Sequence, residues 1–289
     1  MGRILISGLT VKRSEAFRLT DKEFGFICDY VYNLTGIVLG ESKREMVYRR
    51  LSRVIRERKI DTFSEYCQIL EANPEREKSF FINSITTNLT SFFRENHHFD
   101  FLRDKEFPAL IKRNAGTKRV RVWSSASSTG EEPYSLAITA METLSNELNS
   151  WDIKILATDI DSDVLTKAKA GVYDFKRIED LPNNIRSQYF IRGTGMNENK
   201  VKVVPEVKNL LTFKQLNLLH EWPMKGIFDV IFCRNVIIYF DKKTQQELFS
   251  RYYESLAPGG LLMLGHSENL GDFQRYFSNE GRTIFRKPT

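Results

Sequence analysis

Polar residues that could do chemistry gather at the ends of short apolar runs. The run RVRVW (119–123) leads into SSASSTGEEPYS (124–135), a turn of small residues followed by the acidic pair Glu131-Glu132. Small side chains let a ligand approach the backbone closely. Acids at a helix start are stabilised by the helix dipole, and Thr129-x-x-Glu132 also reads as a capping box. The turn has a single glycine, Gly130, and lacks the three-glycine spacing that cradles a pyrophosphate. A second run, ILATDID (155–161), puts Asp159 at a strand's carboxyl end, where a carboxylate accepts two hydrogen bonds from a vicinal diol. Asp161 has a plainer use as the N-cap of the following helix. A third run, FDVIFCRNVIIYF (228–240), is continuously apolar from Val230 to Cys233, ahead of Arg234-Asn235. Such a run is buried on both faces, so that polar pair needs a partner, from the chain itself or from a ligand. Asn217 stands at the corresponding end of QLN (215–217).

Taken together, these residues suit a ligand with an adenosine-like part, no phosphate and a cationic amine. S-adenosylmethionine has those features: a diol for Asp159 and an ammonium for a glutamate of the turn.

The elements that must position these residues follow from the hydrophobic patterning. From residue 119 onward, β-rich runs (119–123, 153–158, 211–215, 228–233, 260–264) alternate with helical segments near 133–148, 161–170 and 241–256. This alternation predicts an α/β domain with a parallel sheet and helices on both faces. Residues 172–208 interrupt it with Pro182, Gly193, Gly195, Pro205 and the alternating run VKVV (201–204), and predict a small antiparallel insertion. Residues 282–286 predict a last, antiparallel strand. Before the sheet, Thr20-x-x-Glu23 is a capping box that opens a helical stretch of residues 20–90. Residues 1–19 read as a flexible tail. Within 43–58, Val47, Leu51, Val54 and Ile55 share one helical face, and Arg49, Arg50, Arg53 and Arg56 fall on the other.

With 289 residues and 41% hydrophobic composition, the chain can bury a sizeable core in one or two domains, which argues against disorder. The net charge of +6 suits an acidic partner or simple solubility equally well. Three cysteines without C-x-x-C spacing point to a reducing compartment. Four histidines without H-x-x-x-H spacing argue against a zinc site. The apolar run near the start is too short for a signal peptide, and none is long enough to span a bilayer. The expectation is a cytoplasmic protein that is not inserted in the membrane.

Six segments carry a resemblance: TTNLTSFFRENHHF (86–99), VWSSASSTGEEPYSLA (122–137), TDID (158–161), LNLL (216–219), FDVIFCRNVIIYF (228–240) and PGGLLMLGHSEN (258–269). Together they resemble the CheR family, the chemotaxis receptor methyltransferases, from about residue 20 to the C-terminus. Ser125 and Ser127 depart slightly from the more alanine-rich turn common in the family.

The resemblance implies a seven-stranded Rossmann-type methyltransferase sheet (91–289, with 172–208 inserted) behind a helical receptor-docking domain (20–90). It implies transfer of a methyl group from S-adenosylmethionine to glutamates of methyl-accepting chemoreceptors, with S-adenosylhomocysteine as product and no metal. By the same resemblance, Asn88, Thr90 and Arg94 contact the cofactor at the junction of the two domains, Arg94 at its carboxylate. Glu132 takes the ammonium, Asp159 the diol, and Asn217 with Leu218 the adenine region. Asn235 and Val236 flank the reacting end, with Tyr239 nearby, and Arg94 and Tyr239 orient the reactants. Arg50, Arg53 and Arg56 meet receptor carboxylates, while Arg192, Gly193 and Gly195 of the insertion hold a receptor's C-terminal peptide. The protein is expected to be a monomer recruited to membrane receptors. A nucleic-acid methyltransferase on the same fold is disfavoured, because residues 234–237 read Arg-Asn-Val-Ile and not Asp/Asn-Pro-Pro-Tyr. A non-catalytic cofactor sensor is the third reading.

Overall fold

The computed structural model describes residues 17–145 and 147–289, and the chain forms two compact units. Most of the expected tail, residues 1–16, lies outside the described residues. Leu19 is already buried, in the helical core.

The first unit runs to Thr87 and also takes in Tyr239–Asp241. Among the described residues, four α-helices build it: α1 (Asp21–Thr35), α2 (Arg44–Glu57), α3 (Phe63–Ala72) and α4 (Pro74–Ile85). The capping box read from Thr20-x-x-Glu23 is present. Glu23 N donates to Thr20 Oγ1 at 3.4 Å, and Thr20 N donates to Glu23 Oε2 at 2.8 Å. Gly36, at φ 71°, ends α1 in the left-handed conformation that glycine adopts without strain. Helix α3 starts on Thr62, and α4 on Pro74, where the missing N–H costs nothing. The apolar faces of all four converge on Ile27, Val31, Val47, Leu51, Ile55, Phe63, Tyr66, Leu70 and Phe81, each fully buried.

The second unit holds the remaining residues. Its main sheet uses β1 (Arg119–Ser124), β2 (Asp152–Asp159), β6 (Leu211–Gln215), β7 (Phe228–Cys233), β8 (Leu256–Leu264), β9 (Ser278–Gly281) and β10 (Ile284–Arg286). The order is β6-β2-β1-β7-β8-β10-β9. The first five strands are mutually parallel, and β10 runs antiparallel to β8 and β9. The order reverses between β1 and β7, and ligands of doubly wound sheets bind outside the carboxyl ends at such a switch point. Helices α5 (His97–Phe101) and α6 (Phe107–Arg113) precede β1, and α9 (Asn183–Tyr189) and α10 (Pro205–Lys208) lie in the insertion; α7 (Glu131–Leu144) packs on β2 and β6, α8 (Ser162–Ala170) on the same strands, and α11 (Lys242–Ser255) on β8. Every residue of β7 is buried, Asp229 included, and the apolar run 230–233 accounts for the burial of its own four residues. Strand β9 carries no β-branched or aromatic residue, so no sequence signal marked it.

The insertion forms the expected antiparallel sheet from β3 (Val172–Asp174), β4 (Phe190–Arg192) and β5 (Lys200–Val203), in the order β3-β5-β4. Tyr173, Tyr189, Phe190, Val201 and Val203 join the same hydrophobic core as the main sheet. Phe92 meets Tyr173 and Phe190 edge-on at 5.0 and 5.2 Å. Among the described residues, no helix is long and apolar enough to cross a membrane.

Candidate functional site

The turn after β1 is laced to its neighbours. Ser125 N donates to Phe232 O at the end of β7 (2.9 Å), and Ser127 N to Thr158 O at the end of β2 (2.8 Å). Gly130 then takes φ 99° at the start of α7; a Cβ there would lie 2.9 Å from both Ala168 Cβ and Tyr173 Oη. That glycine is needed for space and conformation alike.

The capping-box reading of Thr129-x-x-Glu132 does not hold. Gly130 is the N-cap, and Thr129 Oγ1 donates to Glu131 Oε2 at 2.6 Å. Glu131 is spoken for, ion-paired with Arg177. Glu132 instead accepts from Ser124 Oγ at 2.8 Å and pairs with Arg234 at 3.2 Å. Burial pushes its pKa up, and Arg234 opposes the shift.

Asp159 is buried at the end of β2. Its Oδ2 accepts from Ser128 N (2.8 Å) and its Oδ1 from Asp161 N (3.0 Å). Burial pushes its pKa up to about 6, against the pull of those backbone bonds. Asp161 caps α8 through the N–H groups of Asp163 and Val164, as read from the sequence. Its other oxygen accepts from Asn88 Nδ2 at 2.7 Å.

Asn88 begins a segment that runs over these loops. Asn88 O accepts from Ser128 Oγ (3.0 Å), Thr90 O from Arg177 (2.9 Å) and Arg94 O from Arg234 Nη2 (2.5 Å). The Arg94 guanidinium donates to Leu89 O at 2.9 Å within the same segment. Asn217 lies in the loop after β6, where its Oδ1 accepts from Leu219 N at 3.0 Å, and Leu218 is buried. Asn235 follows β7 in the left-handed region at φ 57°. Of the eight described non-glycine residues with positive φ, four fall in these segments: Phe93, Glu95, Ser128 and Asn235. Such conformations persist where surrounding structure enforces them, and they cluster at functional sites.

Sequence reasoning undervalued three residues here. Arg234 is almost wholly buried and pairs with both Glu132 and Glu95, the latter at 3.3 Å. Its place after an apolar strand was the available signal. Glu95 also accepts from His266 Nδ1 at 2.9 Å, and Glu268 braces the loop after β7; neither carries a spacing signal. The fold also brings one ligand atom each from Glu95, His97 and His98 within 4.8 Å, a grouping the histidine spacing did not suggest. Glu95 is already held there by Arg234. His98, fully buried beside Arg234 and His97, has its pKa pulled down to about 3 and is neutral.

Other candidates sit elsewhere or behave differently. Tyr239 belongs to the helical unit, where its carbonyl accepts from Val38 N at 2.8 Å. Arg50 is not a free outward-facing base. It is half-buried and donates to Ile85 O and to Thr87 Oγ1 (3.0 Å), because helix α4 ends beside it. Arg53 and Arg56 are exposed, Arg53 paired with Glu57 at 2.8 Å. In the insertion, Arg192 stacks over Phe175 at 4.4 Å at the outer edge of β4. Gly195 takes a positive φ of 58°, and Gly193 does not. Gly193 is needed because a Cβ would come within 2.1 Å of Asn197 O.

A mostly parallel sheet closed by an antiparallel edge, with an acid ending its second strand, defines a Rossmann-type S-adenosylmethionine-dependent methyltransferase. The sequence matches the family described as CheR methyltransferase, SAM binding domain, over residues 88–286, and its all-alpha domain over 22–86. The chain belongs to the CheR methyltransferase family. It is 45% identical over 276 residues to chemotaxis protein methyltransferase 2 of Pseudomonas aeruginosa, covering 94% of this chain and 95% of that protein. It is 44% identical over 281 residues to the chemotaxis protein methyltransferase of Escherichia coli (96% and 95%). The Borreliella burgdorferi protein of that name is 37% identical over 256 residues (87% and 89%).

Proposed function

We propose that this enzyme methylates glutamate side chains of bacterial chemoreceptors, giving methyl esters and S-adenosylhomocysteine. The observation that carries the reading is Asp159. It is a buried carboxylate at the end of β2, held by the backbone N–H groups of Ser128 and Asp161, beside a small-residue turn and the acidic Glu132. Those acceptors suit a neutral diol next to a cationic amine and do not suit a phosphate. Asp159 would bind the ribose diol, and Glu132, with its Arg234 partner, would orient the ammonium. Asn88, Thr90 and Arg94 would contact the cofactor, Arg94 at its carboxylate, with Asn217 and Leu218 beside the adenine. Asn235 and Val236 would flank the reacting end, and Arg94 and Tyr239 would orient the reactants.

S-adenosylmethionine supplies a methyl group already activated on a sulfonium. The receptor glutamate is ionised near neutral pH, so the protein need supply no general base. Its contribution is orientation and exclusion of water, which lower barriers by roughly 7–11 kcal/mol in favourable cases. No metal enters this scheme.

Receptor docking is proposed for the exposed basic face of α2, through Arg53 and Arg56. Arg50, held by Ile85 and Thr87, supports that face from within. The edge strand β4, with exposed Ile191 and the turn at Gly193–Gly195 beyond Arg192, is proposed to take a receptor's C-terminal peptide by strand addition. Such a tether would raise the local substrate concentration without touching the chemistry. Deleting residues 193–195 should then slow methylation of tailed receptors and leave tail-less ones unchanged. We further propose that the protein acts as a monomer in the cytoplasm at the receptor's inner face, and that nucleic acid is not its substrate.

The test is transfer of labelled methyl from S-adenosylmethionine to a receptor cytoplasmic fragment and, separately, to RNA. Label on the receptor that alkali releases as methanol supports an ester on glutamate. Alkali-stable label, or label on RNA alone, overturns it.

A further inference from the structure

The chain between β7 and Ile238 has an unusual support. Three consecutive backbone N–H groups converge on one buried side chain, Glu268. Asn235 N donates to Glu268 Oε2 at 2.8 Å, and Val236 N and Ile237 N donate to Oε1 at 2.9 and 2.8 Å. A fourth donor, Gly265 N, reaches Oε2 at 2.6 Å. Each carboxylate oxygen therefore accepts two hydrogen bonds, the full capacity of its lone pairs. Glu268 is itself set by a turn in which its N–H donates to Gly265 O at 2.9 Å.

Gly265 belongs to the same device. A Cβ on it would stand 2.5 Å from Asn235 Nδ2, 2.8 Å from Glu268 Oε2 and 3.0 Å from Asn235 N. Only glycine lets the two segments close to this distance. The closure holds Asn235 at φ 57°, a conformation that costs a non-glycine residue unless the surroundings impose it.

We propose that Glu268, seated against Gly265, is a positioning residue for methyl transfer: it fixes the peptide units of residues 235–237 so that Asn235 and Val236 are presented in one orientation to the methyl donor. This rests on the reading above that those two residues flank the reacting end. In a trans peptide, the carbonyl of each residue points opposite to the next N–H. With three successive N–H groups turned onto Glu268, the carbonyls of Arg234, Asn235 and Val236 point away from it. A row of carbonyl oxygens suits a cationic sulfonium, whereas the N–H groups, were the loop to turn over, would repel it. Glu268 touches no reacting atom in this account; it acts through the loop.

Glu268→Gln tests the idea with little change in shape. One amide oxygen can accept from only two of the four N–H groups, and the amide NH2 then faces the other two as a donor against donors. The expected result, measured below the melting temperature, is a fall in kcat of tenfold or more with the KM for receptor unchanged. The backbone amide resonances of Asn235, Val236 and Ile237 should also shift. Gly265→Ala, which pushes the same loop from the other side, should reproduce that split. The double variant should be no worse than either single one, since both act on one loop. A purely structural role would lower Tm and leave the kcat of the folded enzyme unchanged, and that outcome overturns the proposal. If Glu268→Gln does not fold, Gly265→Ala alone decides by the same kcat criterion. Wild-type enzyme that fails to bind S-adenosylmethionine would instead refute the cofactor reading. Active wild type beside equally active variants refutes only the clamp.

Discussion

Two buried carboxylates show how differently the two units of this protein handle charge. In the helical unit, Glu77 is matched by Arg58 in a two-contact ion pair, and that partner draws its pKa down. In the sheet unit, Asp159 is also buried but is met by backbone N–H groups, those of Ser128 and Asp161 among them, with no cation paired to it among the described residues, and burial pushes its pKa up to about 6. Nearby, the single guanidinium of Arg234 serves both Glu95 and Glu132. Strain follows the same division. Lys59 is the one described non-glycine residue of the helical unit with positive φ, against seven in the sheet unit. Where no ligand enters a core, each buried charge is best satisfied locally. An excess of buried carboxylate on a strained backbone is the mark of a site shaped for a cationic ligand.

The largest effect expected from this contrast lies at Arg234. Arg234→Met removes the guanidinium from two buried acids and should destabilise the sheet unit by about 3–5 kcal/mol in urea titrations. Arg58→Met should cost only about 1–2 kcal/mol, since Arg58 is a third exposed and water can replace it at Glu77. Equal losses would erase the distinction.

Opposite pH responses are expected next. Glu77, with a lowered pKa, contributes stability above the ordinary carboxylate pKa and loses it as pH falls through the folded value. Asp159, with a raised pKa, favours the folded state at low pH and loses that contribution as pH rises through about 6. The ionised form is the one that accepts a diol, so affinity for S-adenosylmethionine should hold above pH 6 and decline below it. Calorimetry at pH 5 and pH 8 checks this; an affinity that rises on acidification would count against Asp159 as the diol acceptor.

On the helical unit, reversing Arg53 and Arg56 to Glu should slow receptor methylation about tenfold or more, with cofactor affinity intact. Added salt should slow the wild-type reaction in the same direction. Arg50→Ala should show itself chiefly as lost stability, because its hydrogen bonds are internal. The smallest effect is Thr20→Ala, which removes half of a capping box and should cost about 1 kcal/mol in thermal melts without altering methylation.

Much of this was legible in the sequence because each feature had a local cause. Thr20-x-x-Glu23 announced a cap, and the apolar run 230–233 a doubly buried strand. What stayed hidden was non-local. Glu268 and Gly265 matter through bonds to residues some thirty positions away in the chain. Arg50 looks like its neighbours on a helical wheel and differs only because α4 ends against it. Ser278–Gly281 is a strand by pairing with β10 and not by composition.

The account rests on Asp159 as the anchor of the cofactor, and calorimetric titration of S-adenosylmethionine into wild-type protein and Asp159→Ala tests it most directly. Saturable binding to wild type that weakens at least tenfold in the variant, with both proteins melting cooperatively, is the predicted result. Equal affinity in a folded Asp159→Ala protein would contradict it.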